Sequence, residues 1–313
     1  VKMARTPSNV MTFIKDLERY ASDIFDEQVE GVMSFAKQHG ASTIEPWDLP
    51  YWVMRYREDF FEFDYDLITP YLEVETVISG MIRHFERLFG IRFERTDTLD
   101  KFHPDIETYN VIDQETGEPL SVMTLDLFER SGIKRDGAFC EVIQPLKKNA
   151  PNNLQIAMNM AKPKAGEKAF MSFSDMRTIY HEAGHAIHGL FAKRAQYFRF
   201  SSEGNSPDFV ELPSQLMENW VRDPAVFSML TSHYKTGEPM PQDLAARLVR
   251  AESFFTPVRE ALMVAQNATR DMGWAMLDTF SKTPDVTFID GEFSTFTTTY
   301  SDYIRGYDST RFS

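Results

Sequence analysis

The chain of 313 residues has a single cysteine, Cys140, and no apolar run that approaches the ~18 residues needed to cross a bilayer. One cysteine cannot form an intramolecular disulfide, which fits a reducing compartment. Its apolar-rich sequence surroundings, residues 138–142, predict a buried and unreactive thiol. The polar N-terminal segment is unlike the core of a signal peptide. We therefore expect a soluble, cytoplasmic protein with no membrane partner.

Basic residues are scarce relative to acidic ones. The sequence has 33 Lys and Arg against 47 Asp and Glu, which gives a formal net charge of −14. Binding to phosphate backbones relies on clustered Lys and Arg, so this balance argues against nucleic acid as a partner. Apolar residues make up 42% of the chain, which is enough to build a core and excludes a disordered protein.

The N-terminal part, residues 1–90, has the hydrophobic period of helices. Apolar residues recur every three to five positions from Pro7 to Gly40, which predicts one long helix that ends at this glycine. After a second helix, a third is predicted between Pro70 and Gly90. The helical period returns after about residue 168 and continues nearly to the end of the chain.

Residues 91–160 instead alternate between apolar and polar side chains, as strands do. A turn-like segment, residues 113–117, separates two longer runs and predicts a β-hairpin. The strands of this small sheet are predicted at 91–95, 106–112, 119–128, 138–143 and 154–160.

These patterns predict an α+β fold that is predominantly helical. A small antiparallel or mixed sheet, residues 91–160, lies between a helical part, 1–90, and a second helical part, 161–313. Neither an internal repeat nor a clear linker interrupts the sequence, so we expect residues 1–313 to form a single domain.

The strongest chemical signal is a histidine pair in the segment His181-Glu182-Ala183-Gly184-His185. Residues four apart share one helix face, so His181 and His185 can both direct a ring nitrogen to one Zn²⁺. The intervening Glu182 can reach a water molecule at the metal. This spacing is typical of zinc peptidases and predicts one Zn²⁺ per chain.

The third ligand is open to several candidates. The metzincin pattern would need Gly at 188 and His at 191, where this sequence has His188 and Phe191. A carboxylate from a following helix is the alternative. Glu211 comes 26 residues after His185, which is far enough for the chain to turn back, and Glu203 and Glu218 are the next candidates.

The zinc-binding segment and the run 208–215 together resemble the signature of the M3 zinc oligopeptidases, a family that includes thimet oligopeptidase, oligopeptidase A and the bacterial peptidyl-dipeptidases. The segment from His103 to Phe139 resembles the stretch that precedes the zinc helix in this family. The resemblance implies His181, His185 and Glu211 as zinc ligands. It also implies a mostly helical fold with a deep channel that admits short peptides.

The resemblance further implies Glu182 as the catalytic base and the strand around Gly137 and Ala138 as the edge that pairs with an extended substrate. His188 recurs beside the ligands in this family, where it either supports a ligand or packs in the core. Asp208 either orients a ligand histidine or caps the helix that bears Glu211. Glu218 is a further candidate for supporting a ligand or contacting substrate.

The expected function is zinc-dependent hydrolysis of internal or near-terminal bonds in short oligopeptides. The alternatives are an M32-like carboxypeptidase and a zinc-containing fragment that binds peptides without cleaving them. Members of the M3 family continue into a Gly- and Tyr-rich loop that this sequence lacks after Tyr307. We therefore expect a truncated fragment of a longer enzyme, which cleaves peptides poorly or not at all and exposes apolar surface that favours self-association.

Overall fold

The computed structural model describes residues 4–62, 64–98, 101–144, 152–164, 166–192, 206 and 209–280. The chain divides into two compact units, one of Val1–Phe63 with Arg247–Ser313 and one of Asp64–Ala246. The helices are α1 (Pro7–Gln38), α2 (Leu49–Phe60), α3 (Tyr65–Ile68), α4 (Val74–Phe89), α5 (Phe173–Ala192), α6 (Leu212–Glu218), α7 (Pro224–Leu230), α8 (Gln242–Ser253) and α9 (Thr256–Phe280). The strands are β1 (Ile91–Arg95), β2 (Glu107–Asp113), β3 (Pro119–Phe128), β4 (Phe139–Gln144) and β5 (Asn152–Met160).

The first unit is built on α1, α2 and α9. The Thr6 side chain caps α1 by accepting a hydrogen bond of 3.2 Å from the backbone N–H of Asn9, and Pro7 follows at the first helical position. The predicted long N-terminal helix is confirmed, because α1 continues without a break to Gln38. Its core contains buried apolar side chains of α1, α2 and the α8–α9 junction: Val29, Val32, Met33, Val53 and Phe255.

The second unit contains a five-stranded sheet in the order β1-β2-β3-β5-β4. Strands β3 and β5 run parallel and the other neighbouring pairs run antiparallel. The predicted small mixed sheet is therefore confirmed. The hairpin of β2 and β3 is also confirmed, with the Asp113 side chain accepting hydrogen bonds from the backbone N–H groups of Glu115 and Thr116 in its turn.

The end of α4 and the start of α5 both lie at residues that the sequence indicates. Gly90 follows α4 in the left-handed conformation, with φ of 64°, which favours glycine. At the start of α5 the Ser172 hydroxyl accepts a hydrogen bond of 3.0 Å from the Asp175 backbone N–H. The Asp175 carboxylate accepts one of 2.8 Å from the Ser172 backbone N–H in return. This reciprocal pair satisfies backbone donors that would otherwise lack partners.

The expected α+β class, dominated by helices, is confirmed. The expectation of a buried Cys140 is wrong, because this residue lies in the edge strand β4 and is partly exposed. Across the described residues, no helix is both long and apolar enough to span a bilayer. The single domain and the cytoplasmic location stay predictions.

A buried histidine in α4 leads to a prediction for the pH dependence of stability. His84 is 5% exposed, and its Nδ1 lies 3.2 Å from the Tyr180 hydroxyl. Burial lowers the pKa of His84, and the negative charge of Asp223 opposes this only in part. The unfolded chain therefore takes up a proton at a higher pH than the folded chain does. The free energy of unfolding should fall as the pH decreases below about 6.5, the ordinary histidine pKa.

Replacement of His84 by Gln should reduce this pH dependence, because the amide can still hydrogen-bond to Tyr180 but does not titrate in this range. We expect the variant to lose less stability than the wild type between about pH 7.5 and pH 5.5. Urea unfolding at a series of pH values measures the difference. Equal losses in both proteins would show that His84 is not a source of acid destabilisation.

Candidate metal centre

Helix α5 carries the histidine pair on one face and packs its other face into the core. The His181 and His185 side chains, one turn apart, are 26% and 21% exposed. The helix contacts strands β3, β4 and β5, so the sheet holds it in place. Its apolar residues that are at most 3% exposed are Met176, Ile179, Tyr180, Ala183, Ala186 and Leu190.

The residue just before α6 supplies the third candidate ligand. Glu211 is the N-terminal cap position of α6, and Pro213 occupies the first turn, where proline needs no hydrogen-bonded N–H. The Glu211 Oε2 atom lies 3.0 Å from Nε2 of His185 and 3.2 Å from Nε2 of His181. The candidate ligand atoms of the three residues all lie within 4.8 Å of one another.

This arrangement fits a zinc ion. Two imidazole nitrogens and one carboxylate oxygen are a donor set that leaves a fourth position open for water or substrate. Donors about 2.0–2.2 Å from a tetrahedral Zn²⁺ are roughly 3.3–3.5 Å from one another. The Glu211 oxygen is only slightly nearer than this to the two histidine nitrogens.

Glu218, at the end of α6, contacts the opposite side of the first histidine. Its Oε1 lies 2.7 Å from Nδ1 of His181, and its Oε2 lies 3.6 Å from Nε of Arg177. The hydrogen bond with Glu218 is the main cause that raises the pKa of His181. A carboxylate at Nδ1 holds the proton there and leaves Nε2 free to bind a metal, which is a common arrangement around zinc.

Glu182 lies beside the histidine pair but outside the group of candidate ligands. It is 6% exposed, and burial is the main cause that raises the pKa of its carboxyl group. The charge of Glu211 raises the pKa further, whereas His181 and a hydrogen bond from the backbone N–H of Cys140 oppose the shift. The Glu182 carboxylate therefore lies between helix α5, which carries the histidine pair, and the edge strand β4.

The other candidate site residues from the sequence lie outside the group of three candidate ligands or outside the described part of the chain. His188 is half-buried, and its ring centroid lies 6.4 Å from that of Phe209. Gly137 and Ala138 come directly before β4, and the Gly137 carbonyl accepts a hydrogen bond of 2.6 Å from the Asn159 side chain. Asp208 and the alternative ligand Glu203 lie outside the described residues, so the predictions about them stay untested.

Sequence reasoning missed Ser214, which contacts the third candidate ligand. The Ser214 Oγ atom lies 2.7 Å from Oε2 and 2.9 Å from the backbone oxygen of Glu211. Burial raises the pKa of Glu211, but the Ser214 hydrogen bond and the two histidines outweigh it, and the pKa is lowered. A serine three residues after an acidic cap residue is the signal that could have indicated this contact.

Comparison with known proteins identifies relatives over nearly the whole chain. The family model described as peptidase family M3 matches residues 1–302. Dipeptidyl carboxypeptidase of Escherichia coli is 32% identical over 91% of this chain and 42% of its own length. Oligopeptidase A of the same organism is 28% identical over 81% of this chain and 38% of its own length. Organellar oligopeptidase A of Arabidopsis thaliana is 31% identical over 81% of this chain and 34% of its own length.

Proposed function

We propose, because this chain belongs to peptidase family M3, that it hydrolyses short peptides in a zinc-dependent reaction. The chain spans between about a third and two fifths of the length of the relatives above, so this activity is a proposal for the chain itself. The observation that carries it is the convergence of two Nε2 atoms and one carboxylate oxygen, from His181, His185 and Glu211, beside the buried carboxyl group of Glu182.

In the proposed mechanism His181, His185 and Glu211 would hold one Zn²⁺, and the contact of Glu218 with Nδ1 of His181 would keep the ring oriented so that Nε2 is free for the metal. Zinc, when bound, supplies the Lewis acidity that activates a water molecule and polarises the scissile carbonyl. Glu182 accepts the proton of the attacking water and passes it to the leaving amine. Its raised pKa favours this role, because a base works best when its pKa is near the working pH.

The substrate proposed here is an extended peptide that pairs with the edge strand β4. This strand has a neighbour, β5, on one side, and the backbone N–H of Cys140 on β4 reaches Glu182. A peptide that adds to the edge of β4 would therefore lie beside the proposed base. Gly137 and Ala138, just before the strand, would contact the same peptide.

One preparation of the chain tests this proposal with two measurements. Metal analysis should find about one Zn²⁺ per chain, and a quenched fluorescent peptide should be cleaved, with activity lost on chelation and regained when zinc is added. Zinc binding without cleavage would instead support a protein that binds peptides and does not hydrolyse them. A chain that binds no zinc would overturn the proposed reaction.

A further inference from the structure

Helices α5 and α6 approach each other most closely at a glycine inside the zinc-binding segment. A Cβ atom added to Gly184 would lie 2.6 Å from Cα of Ser214 and 2.7 Å from the backbone oxygen of Pro213. Both distances are below 3.0 Å, which real Cβ atoms essentially never show, and both neighbours are backbone atoms that cannot rotate away. Any larger residue at this position must therefore push α6 away from α5.

A glycine at position 184 lowers the stability of helix α5, so its presence there needs a structural reason. Glycine in the interior of a helix is less stable than alanine by roughly 0.5–1 kcal/mol, because it loses more backbone entropy on folding. Gly184 lies in the middle of α5 and takes ordinary helical backbone angles, so conformational freedom does not explain it. The close approach of Ser214 does.

The same contact reaches the third candidate ligand through a side chain. Ser214 is fully buried, its backbone lies against Gly184, and its hydroxyl lies 2.7 Å from Oε2 of Glu211. The Glu211 side chain is 51% exposed, so packing alone leaves it free to occupy several rotamers. Ser214 is thus placed to limit which of these rotamers the carboxylate adopts.

We propose that Gly184 and Ser214 are positioning residues that together bring Glu211 to the metal. Gly184 sets the distance between α5 and α6, and the Ser214 hydroxyl orients the carboxylate at that distance. Neither residue is a ligand. This inference rests on the proposed zinc site, although it does not depend on whether the chain cleaves peptides.

The test compares zinc affinity in four variants: Gly184→Ala, Ser214→Ala, the double variant, and the control Gly80→Ala. Gly80 in α4 is a matched control, because a Cβ there would lie 2.3 Å from the backbone oxygen of Met229, far from the ligands in sequence. Affinity is measured by competition with a chelator on folded protein. The visible spectrum of the Co²⁺-substituted protein reports whether the carboxylate still binds.

We expect Gly184→Ala and Ser214→Ala each to weaken zinc binding by about 10–100-fold, the usual cost of losing a residue that orients a ligand. The double variant should be little worse than Gly184→Ala, because a displaced Glu211 no longer gains from the hydroxyl. Gly80→Ala should lower stability but leave the affinity of the folded protein within about threefold and the Co²⁺ spectrum unchanged.

Wild-type affinity in both Gly184→Ala and Ser214→Ala would overturn the inference and leave the proposed zinc site intact. An equal loss of affinity in Gly80→Ala would also overturn it, since general destabilisation would then explain the effect. If Gly184→Ala does not fold, Ser214→Ala decides the question, because it removes a single oxygen atom. A wild type that binds zinc but cleaves no peptide would contradict the proposed function alone.

Discussion

Replacement of Glu182 by Gln is expected to lower kcat by roughly 10²–10⁴-fold, the usual contribution of a general base. The amide has nearly the same size and can still accept a hydrogen bond, but it cannot take a proton from water. Glu182 is not among the candidate ligands, so the variant should still bind one Zn²⁺. Steady-state cleavage of a quenched peptide, with metal analysis of the same sample, measures both quantities.

The control is Glu30→Gln, which changes an exposed carboxylate on α1 and should leave both activity and zinc content unchanged. Two results would contradict the role of Glu182. An undiminished rate in Glu182→Gln would show that another group accepts the proton. Loss of zinc together with activity would show that Glu182 supports the metal site and is not simply a base.

Replacement of His185 by Ala should reduce zinc affinity by more than the ~10–100-fold that loss of an orienting residue costs, because it removes a ligand itself. The remaining His181 and Glu211 supply two donors, and stable protein zinc sites use three or four. Metal analysis after dialysis should find far less than one Zn²⁺ per chain. Peptide cleavage should disappear with the metal.

His39→Ala is the matched control, because His39 lies at the C-terminus of α1, outside the candidate ligand group. It should keep the full zinc content. Circular dichroism of both variants separates loss of a ligand from loss of the fold. A His185→Ala protein that keeps one tightly bound Zn²⁺ would rule out this residue as a ligand and direct attention to His188, one turn further along α5.

Local sequence patterns were sufficient for most elements of this fold. The alternating run from 106 to 128 predicts β2 and β3, which form at residues 107–113 and 119–128. The stop at Gly90 is also predictable, because a residue in the left-handed conformation after a helix is a local requirement that glycine meets most easily. The partial exposure of Cys140 was not predictable in this way. Its apolar neighbours indicate a strand, but whether that strand is central or at an edge depends on pairings between distant segments.

In the candidate metal centre, too, some features follow from the local sequence and others depend on tertiary packing. The sequence alone determined that His181 and His185 share a face, because four residues make one helical turn whatever surrounds the helix. The helical period by itself left Glu203, Glu211 and Glu218 open, since carboxylates after a turn in the chain are placed by packing between helices. Only the resemblance to the M3 family singled out Glu211. Tertiary structure decided that Glu211 faces the two Nε2 atoms and that Glu218 faces Nδ1 of His181. The physical reason is the close approach at Gly184, a contact with Ser214 that no sequence period encodes.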